Sequence, residues 1–306
     1  MSKSDSNNYV ISIVGPTAIG KTALSIKLAN YFNTEIISAD SRQFFREMQI
    51  GTAAPTPDEL LAAKHHFIHH KSVENDYNVG SFEKDAITRL NHLFQTKEIV
   101  IMVGGSGLYV DAVTKGLDNF PEVDKSIRTH LNKQLETEGL ESLQKQLKTL
   151  DEVSFNNIAI DNPHRVIRAL EICIGTQKPF SSFLNKEKEK RNFKTISIGL
   201  TAEREIIYNR INKRVDIMMD EGLLQEVKNL ENKQHLNALN TVGYKEIFKY
   251  LNNEWSLDFA VSEIKKNSRR FAKRQLTWFK KNENTTWFDY EYDINLITDH
   301  IKKVIK

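Results

Sequence analysis

Cysteine is nearly absent: the single Cys173 has no partner for an internal disulfide. Its neighbours Leu170, Ile172 and Ile174 mark it as a small packing residue, and no obvious base stands beside it to make it a nucleophile. A reducing, cytoplasmic setting is expected. Long apolar runs are missing as well. Nothing approaches the roughly 18 consecutive apolar residues of a membrane span, and the polar opening MSKSDSNNYV carries no secretory signal, so no membrane contact is expected. Excess charge is small at +3, which by itself says little about partners. There is no internal repeat, and low complexity is confined to NKEKEKRN (Asn185 to Asn192), a charged linker candidate. With 40% apolar residues over 306 positions, the chain can build one large domain or a core domain with a smaller insertion.

What is present begins with Tyr9 to Val14 (YVISIV), a β-branched run that ends in a glycine-rich turn, followed by helical spacing from Thr22 to Phe32. Glu35 to Ser38 (EIIS) reads as a second strand ending at Asp40, and Glu98 to Val103 (EIVIMV) as a third ending at Gly104 and Gly105. Alternation of strands and helices implies an α/β fold with a parallel sheet, whose functional loops gather at the C-terminal strand ends. From about Pro121 to Lys194 the chain turns rich in Glu, Lys, Gln and Leu, with helical spacing at Leu131, Leu135, Leu140, Leu143, Leu147 and Leu150. This is a helical insertion, after which Thr195 to Leu200 (TISIGL) returns to the sheet. Beyond Glu203 helices dominate, and from Asp289 onward the pattern is uninformative.

The turn after the first strand, GPTAIGKT (Gly15 to Thr22), fits G-x-x-x-x-G-K-[ST] in full and lies between strand and helix, the context the motif requires. Glycines let the backbone wrap a diphosphate, amides at the helix start point at the anion, Lys21 neutralises charge and Thr22 can ligate Mg²⁺. Such a loop serves ATPases, kinases and other users of diphosphates alike. The apolar strand Ile99 to Val103 ends in glycines rather than in the acidic residue that helps hold metal in many nucleotide hydrolases, which argues against routine ATP hydrolysis. A small-molecule kinase stays open, with Asp40 a possible metal-binding carboxylate.

Charge is unevenly distributed. Between Lys265 and Lys281 stand eight basic residues and no acidic one, a stripe that attracts polyanions. Val261, Ile264, Ser268, Phe271 and Gln275 follow helical spacing there, so a merely solvated positive face is an equal reading. The cluster HHFIHH (His65 to His70) lacks the nearby carboxylate or cysteine that would complete a zinc ligand set.

Further segments are IISADSRQFFREMQIGTAAPTPDEL (Ile36 to Leu60), VGGSGLYVDAV (Val103 to Val113), NPHRVIRALEI (Asn162 to Ile172), NTVGYKE (Asn240 to Glu246) and RRFAKRQLTWF (Arg269 to Phe279). Together with the phosphate loop, in order and collinear from about Val10 to Trp287, they closely resemble the tRNA dimethylallyltransferase family. The resemblance implies a P-loop kinase-like parallel-sheet core (1–120 and 195–306) and a helical insertion that contacts tRNA (121–194). It also implies a channel that takes the prenyl diphosphate from one end and a flipped-out adenosine from the other. The implied reaction moves a dimethylallyl group from dimethylallyl diphosphate to N6 of the adenosine at tRNA position 37, beside the anticodon, giving N6-isopentenyladenosine. Mg²⁺ is the implied cofactor, the anticodon stem-loop of tRNA the implied partner, and a monomer the expected state.

Carried over by position, Gly15, Pro16, Thr17, Ala18, Ile19, Gly20, Lys21 and Thr22 hold the donor's diphosphate, Thr22 is the metal ligand, and Arg214 is a further cationic contact. Asp40 is implied as the base beside the adenine amine, ahead of the turn or capping role that an Asp after a strand often has. Ser106 stands where the family has a threonine that orients the reacting groups; in GGSG alone it reads as a turn. Contacts to the target nucleotide are implied for Asp40, Ser41, Arg42 and Gln43, with Ser106. The loop-binding surface is implied at His164, Arg165, Val166, Ile167 and Arg168 and at Asn240, Thr241, Val242, Gly243, Tyr244 and Lys245. Lys273, Arg274, Gln275, Trp278 and Lys280 are implied near the stem-loop, and Arg128 within the insertion. The chain departs from the family pattern at His69, where an acidic residue is usual, and at Asn240, where glutamine is frequent. It also lacks the Cys/His finger of many eukaryotic relatives, which favours a bacterial type. Three rivals remain: an adenylate isopentenyltransferase acting on a free nucleotide, a P-loop small-molecule kinase, and a nucleic-acid-binding module with a vestigial phosphate loop.

Overall fold

The β-branched runs of the sequence become the centre of one sheet. In the computed structural model, which describes residues 7–184 and 190–305, the chain begins β1 (Tyr9–Val14), α1 (Lys21–Tyr31), β2 (Ile36–Ser38) and α2 (Pro57–Ala62). It continues through β3 (His65–His66), α3 (Val79–Leu93), β4 (Ile99–Val103) and α4 (Gly107–Lys115). Then come α5 (Lys125–Glu138), α6 (Leu140–Leu150), α7 (Glu152–Asn157) and α8 (Pro163–Thr176). The last part is β5 (Lys194–Thr201), α9 (Arg204–Asp220), α10 (Leu223–Lys228), α11 (Tyr244–Leu251), α12 (Leu257–Phe279), β6 (Thr285–Asp289) and α13 (Ile294–Ile305). Most of the linker candidate, residues 185–189, lies outside the described residues.

Six strands pair in the order β3-β2-β4-β1-β5-β6, every pair parallel. Parallel sheets are covered on both faces, so β1 is buried along its whole length and its alternate residues serve different layers. Val10 and Val14 join the apolar cluster on one face with Met102 and Phe82; Ile11 and Ile13 join the other with Ile101, Ile198 and Leu28. The register sets Val103 of β4 beside both Ile13 of β1 and Ser38 of β2. The C-terminal ends of these three strands are therefore level, and the loops carrying Gly15, Asp40 and Gly105 leave the sheet side by side. Gly104 is required at that edge, because a Cβ there would lie 2.4 Å from the Ala39 carbonyl oxygen.

The chain divides into two compact units, residues 1–115 with 191–306, and residues 116–190. The second is built from α5 to α8 around Leu131, Leu143, Leu147, Val166, Ile167 and Leu170, the leucine spacing seen in the sequence. Leu150, read with that stripe, is instead 41% exposed. Cys173 is buried in this core, and its sulfur accepts the Phe180 amide at 3.2 Å. Among the described residues no helix is long and apolar enough to cross a membrane.

Candidate active site

The phosphate loop is shaped by backbone conformation before any side chain enters. Gly15 and Gly20 have φ of +143° and +109°, and Ala18 also lies in the left-handed region at +64°, a strained state for a residue with a Cβ. Gly15 packs so close to β5 that a Cβ would sit 2.5 Å from the Leu200 carbonyl oxygen. The unpaired amides of the first turn of α1 then face outward from Gly20, an anion-binding arrangement. Lys21 donates to the Pro16 carbonyl at 2.8 Å, Arg210 to that of Ala18 at 2.8 Å, and Arg214 to the Thr17 hydroxyl at 3.1 Å. Burial pulls the Lys21 pKa down from 10.5 to about 8, helped by the neighbouring Arg214 and opposed by Asp40. Burial and Arg210 lower that of Arg214 in the same way, again against Asp40. Two desolvated cations facing one carboxylate across the cradle carry surplus positive charge, which suits a diphosphate.

Asp40 follows β2. Its Oδ1 accepts the Arg42 amide at 3.2 Å, and Ser106 supports the same turn by accepting the Ser41 amide at 3.0 Å and donating to the Ser41 hydroxyl at 3.1 Å. Arg42 turns away to donate to the carbonyls of Asn237 and Ala238 at 3.0 and 2.9 Å. Gln43 reaches the carbonyls of Thr52 and Ala53 at 3.3 and 3.1 Å.

Two cavities meet here. One, of about 510 Å³, is lined by the phosphate loop, Thr22, Arg210 and Arg214. The second, of about 400 Å³, is lined by Ser41, Arg42, Ser106, Tyr109, Thr241 to Gly243, Phe271, Arg274 and Trp278. Thr17, Asp40, Thr52, Ala53, Gly105, Arg214 and Met218 line both. A carboxylate thus stands where an anion cradle opens into a chamber walled by aromatic and cationic side chains.

The family model described as IPP transferase matches residues 43–282. The chain belongs to the IPP transferase family. It is 58% identical to a tRNA dimethylallyltransferase of Christiangramia forsetii over 98% of this chain and 99% of that protein. Its fold matches a full-length tRNA isopentenylpyrophosphate transferase from Bacillus halodurans with a TM-score of 0.73 and 37% identity, covering 97% of each chain. It also matches a eukaryotic dimethylallyltransferase whose structure is titled as acting on tRNA, with a TM-score of 0.80 and 26% identity over 92% of this chain and 74% of that one.

In this IPP transferase the positions read from sequence fall into three groups. Thr17 to Thr22 of the phosphate loop, Arg214, Asp40, Ser41, Arg42, Ser106, Thr241, Val242, Gly243, Arg274, Gln275 and Trp278 converge on the two cavities, and Gln43 lines the first, while Gly15 and Pro16 line neither. Lys273 and Lys280 are exposed on and just after α12; Asn240 is exposed before α11 and Lys245 in its first turn. Arg128, His164, Arg165, Val166, Ile167 and Arg168 belong to the separate helical unit. There Arg128 meets the Glu171 carboxylate at 3.2 and 2.7 Å, and Arg168 meets it at 2.9 Å, so both guanidinium groups are held by one buried acid. Some expected RNA contacts face inward: Val166, Ile167 and Tyr244 are buried, and the Gln275 side chain points into the core of the site. The family resemblance implied an RNA contact at Gln275, whereas the helical spacing grouped it with Ile264; in the structure its side chain is buried on the inward face of α12.

Sequence reading missed Glu226 of α10. Its carboxylate accepts the amides of Gln49, Ile50 and Gly51 at 2.9, 2.7 and 2.9 Å and the Tyr244 hydroxyl at 2.6 Å. It thereby holds the turn that runs into Thr52 and Ala53, the wall shared by both cavities. The histidine cluster has dispersed partners: His65 Nδ1 meets the Ala63 carbonyl at 2.8 Å and His66 meets Glu35 at 2.6 Å. The His69 amide donates to the Gln43 carbonyl at 2.9 Å, and His70 packs among Phe44, Phe67 and Tyr77.

Proposed function

We propose that the chain transfers the dimethylallyl group of dimethylallyl diphosphate to N6 of the adenosine at tRNA position 37, releasing diphosphate. The observation that carries the reading is Asp40, which lines both the diphosphate cradle and the aromatic chamber. The names of full-length relatives support it. The phosphate loop and Arg214 bind the diphosphate, while the second cavity receives a base extruded from a single-stranded loop. The exocyclic amine is a poor nucleophile because its lone pair is delocalised into the ring. As the new C–N bond forms and the C–O bond to diphosphate breaks, Asp40 accepts the proton that N6 sheds, and Lys21 and Arg214 stabilise the charge on the leaving group. Ser106 fixes the Ser41 amide and so the aim of Asp40.

The residues fit Mg²⁺: this ion binds through few protein oxygens plus substrate phosphates and water, and the Thr22 hydroxyl lines the cradle beside Lys21. When bound, it supplies further neutralisation of the diphosphate. Exposed Arg270, Lys273, Arg274 and Lys280 favour a polyanionic acceptor over a free nucleotide, and action as a monomer in the cytoplasm belongs to the same reading. The test is transfer from radiolabelled dimethylallyl diphosphate with Mg²⁺ to unmodified tRNA, run beside free AMP and beside ATP alone. Label on tRNA is expected. Label on AMP alone moves the chain to the free-nucleotide reaction, and ATP turnover without transfer moves it to the kinases.

A further inference from the structure

Gln275 lies on the inward face of α12 and is 5% exposed. Its Oε1 accepts the Thr17 amide at 2.8 Å, and its Nε2 donates to the Gly105 carbonyl at 2.9 Å. A side-chain amide carries donor and acceptor on one carbon, so a single residue can hold an N–H and a C=O together; the partners fix which way it is flipped. Those partners belong to the phosphate loop after β1 and the glycine loop after β4. The contact is tight: a Cβ on Gly105 would lie 2.3 Å from Gln275 Nε2 and 3.6 Å from Asp40 Oδ2. Thr17 also accepts from Arg214, so the bridge reaches the cation that faces Asp40. On the same helix Lys273 and Arg274 are exposed, and Trp278 donates to Asp111 at 2.9 Å.

We propose that Gln275 is a positioning residue that ties the diphosphate-binding loop to the loop beside Asp40 and links both to the helix presenting Lys273 and Arg274. The inference rests on the prenyl-transfer reading above and deepens it. Gln275 bonds to loop backbone and not to the reacting atoms; it sets the separation between the donor's leaving group and the base. Its removal therefore slows turnover and leaves RNA affinity in place, which separates it from the RNA contact that the family resemblance implies.

The experiment measures kcat at saturating donor and tRNA, together with the tRNA Kd from filter binding, for three variants and the parent. Gln275→Met keeps the volume and deletes both hydrogen bonds; a fall in kcat of roughly tenfold to a hundredfold with a parental tRNA Kd is expected. Gly105→Ala leaves Gln275 in place but drives a methyl group into its amide, and the same pattern is expected. In Gln275→Met combined with Gly105→Ala the losses should not multiply, because one tie is broken twice. Absence of transfer by the parent sinks the functional reading itself. Transfer by the parent with parental kcat in Gln275→Met, or with losses that multiply in the double variant, overturns the positioning role alone. If Gln275→Met loses its helical circular dichroism, the Gly105→Ala pattern decides: a parental kcat there overturns the role.

Discussion

The two cavities that share Asp40 are made in different ways. The donor side is centred on one contiguous loop, Thr17 to Thr22, with Gln49 to Glu59 and Arg210 to Glu221 completing its wall; Lys21 is tied to the Pro16 carbonyl and Arg214 to the Thr17 hydroxyl. Apart from Thr17, the acceptor side is assembled from six separate stretches: Asp40 to Arg42, Gly51 to Ala53, Gly105 to Tyr109, Ile211 to Met218, Thr241 to Gly243, and Ile264 to Trp278. A diphosphate is small and alike in every donor, so one short loop can supply the centre of its site. A base presented by a folded RNA must be met from several directions, and only the tertiary fold brings those directions together.

This difference predicts a graded set of losses. The junction should be most sensitive. Asp40→Asn preserves shape and removes the base, so kcat is expected to drop by roughly 10²- to 10⁴-fold with donor KM little changed; unchanged kcat would remove Asp40 from the chemistry. Next comes the donor side: Lys21→Ala should lower kcat/KM for the donor by roughly 10²- to 10³-fold while tRNA binding, read by filter retention, persists. Equal loss of both would mean the two cavities are not functionally distinct. On the acceptor side, replacing Lys273 and Arg274 with glutamine should weaken tRNA binding and reduce the slope of log K against log salt by about 2. A parental slope would show these residues to be solvated and unused.

The smallest effect is a pH dependence confined to the donor side. The donor's anionic diphosphate binds the protonated form of Lys21, whose pKa burial has lowered to about 8. Raising pH through 8 discharges the ammonium, so kcat/KM for the donor should fall there, while kcat at saturating donor stays level because bound diphosphate restores the charged form. A flat kcat/KM profile from pH 7 to pH 9 would contradict the pKa assigned to Lys21.

The same contrast explains what was legible in the sequence. The phosphate loop announces itself because its spacing is its function, and β1, β2, β4 and β5 follow from continuous apolar runs of a sheet buried on both faces. The edge strands β3 and β6 have little of that signal: β3 is two histidines long, and β6 is TTWFD. The phase of α12 was only half readable. Ile264 and Gln275 are buried as its spacing suggests, whereas Phe271 is 37% exposed where it walls the acceptor cavity, because a binding chamber takes aromatic side chains without covering them. Glu226 was invisible: one glutamate in an amphipathic helix becomes a clamp only when a turn far away in sequence brings its amides to it. The His65 to His70 run shows the reverse, a conspicuous cluster whose members serve different local contacts.

The central claim is that donor and RNA occupy two adjoining cavities with Asp40 between them. Product inhibition by inorganic diphosphate tests it most directly. Diphosphate should compete with dimethylallyl diphosphate and leave the tRNA Kd, measured in its presence, unchanged or tighter. Direct competition between diphosphate and tRNA for the free protein would contradict it, because both would then be using the phosphate loop.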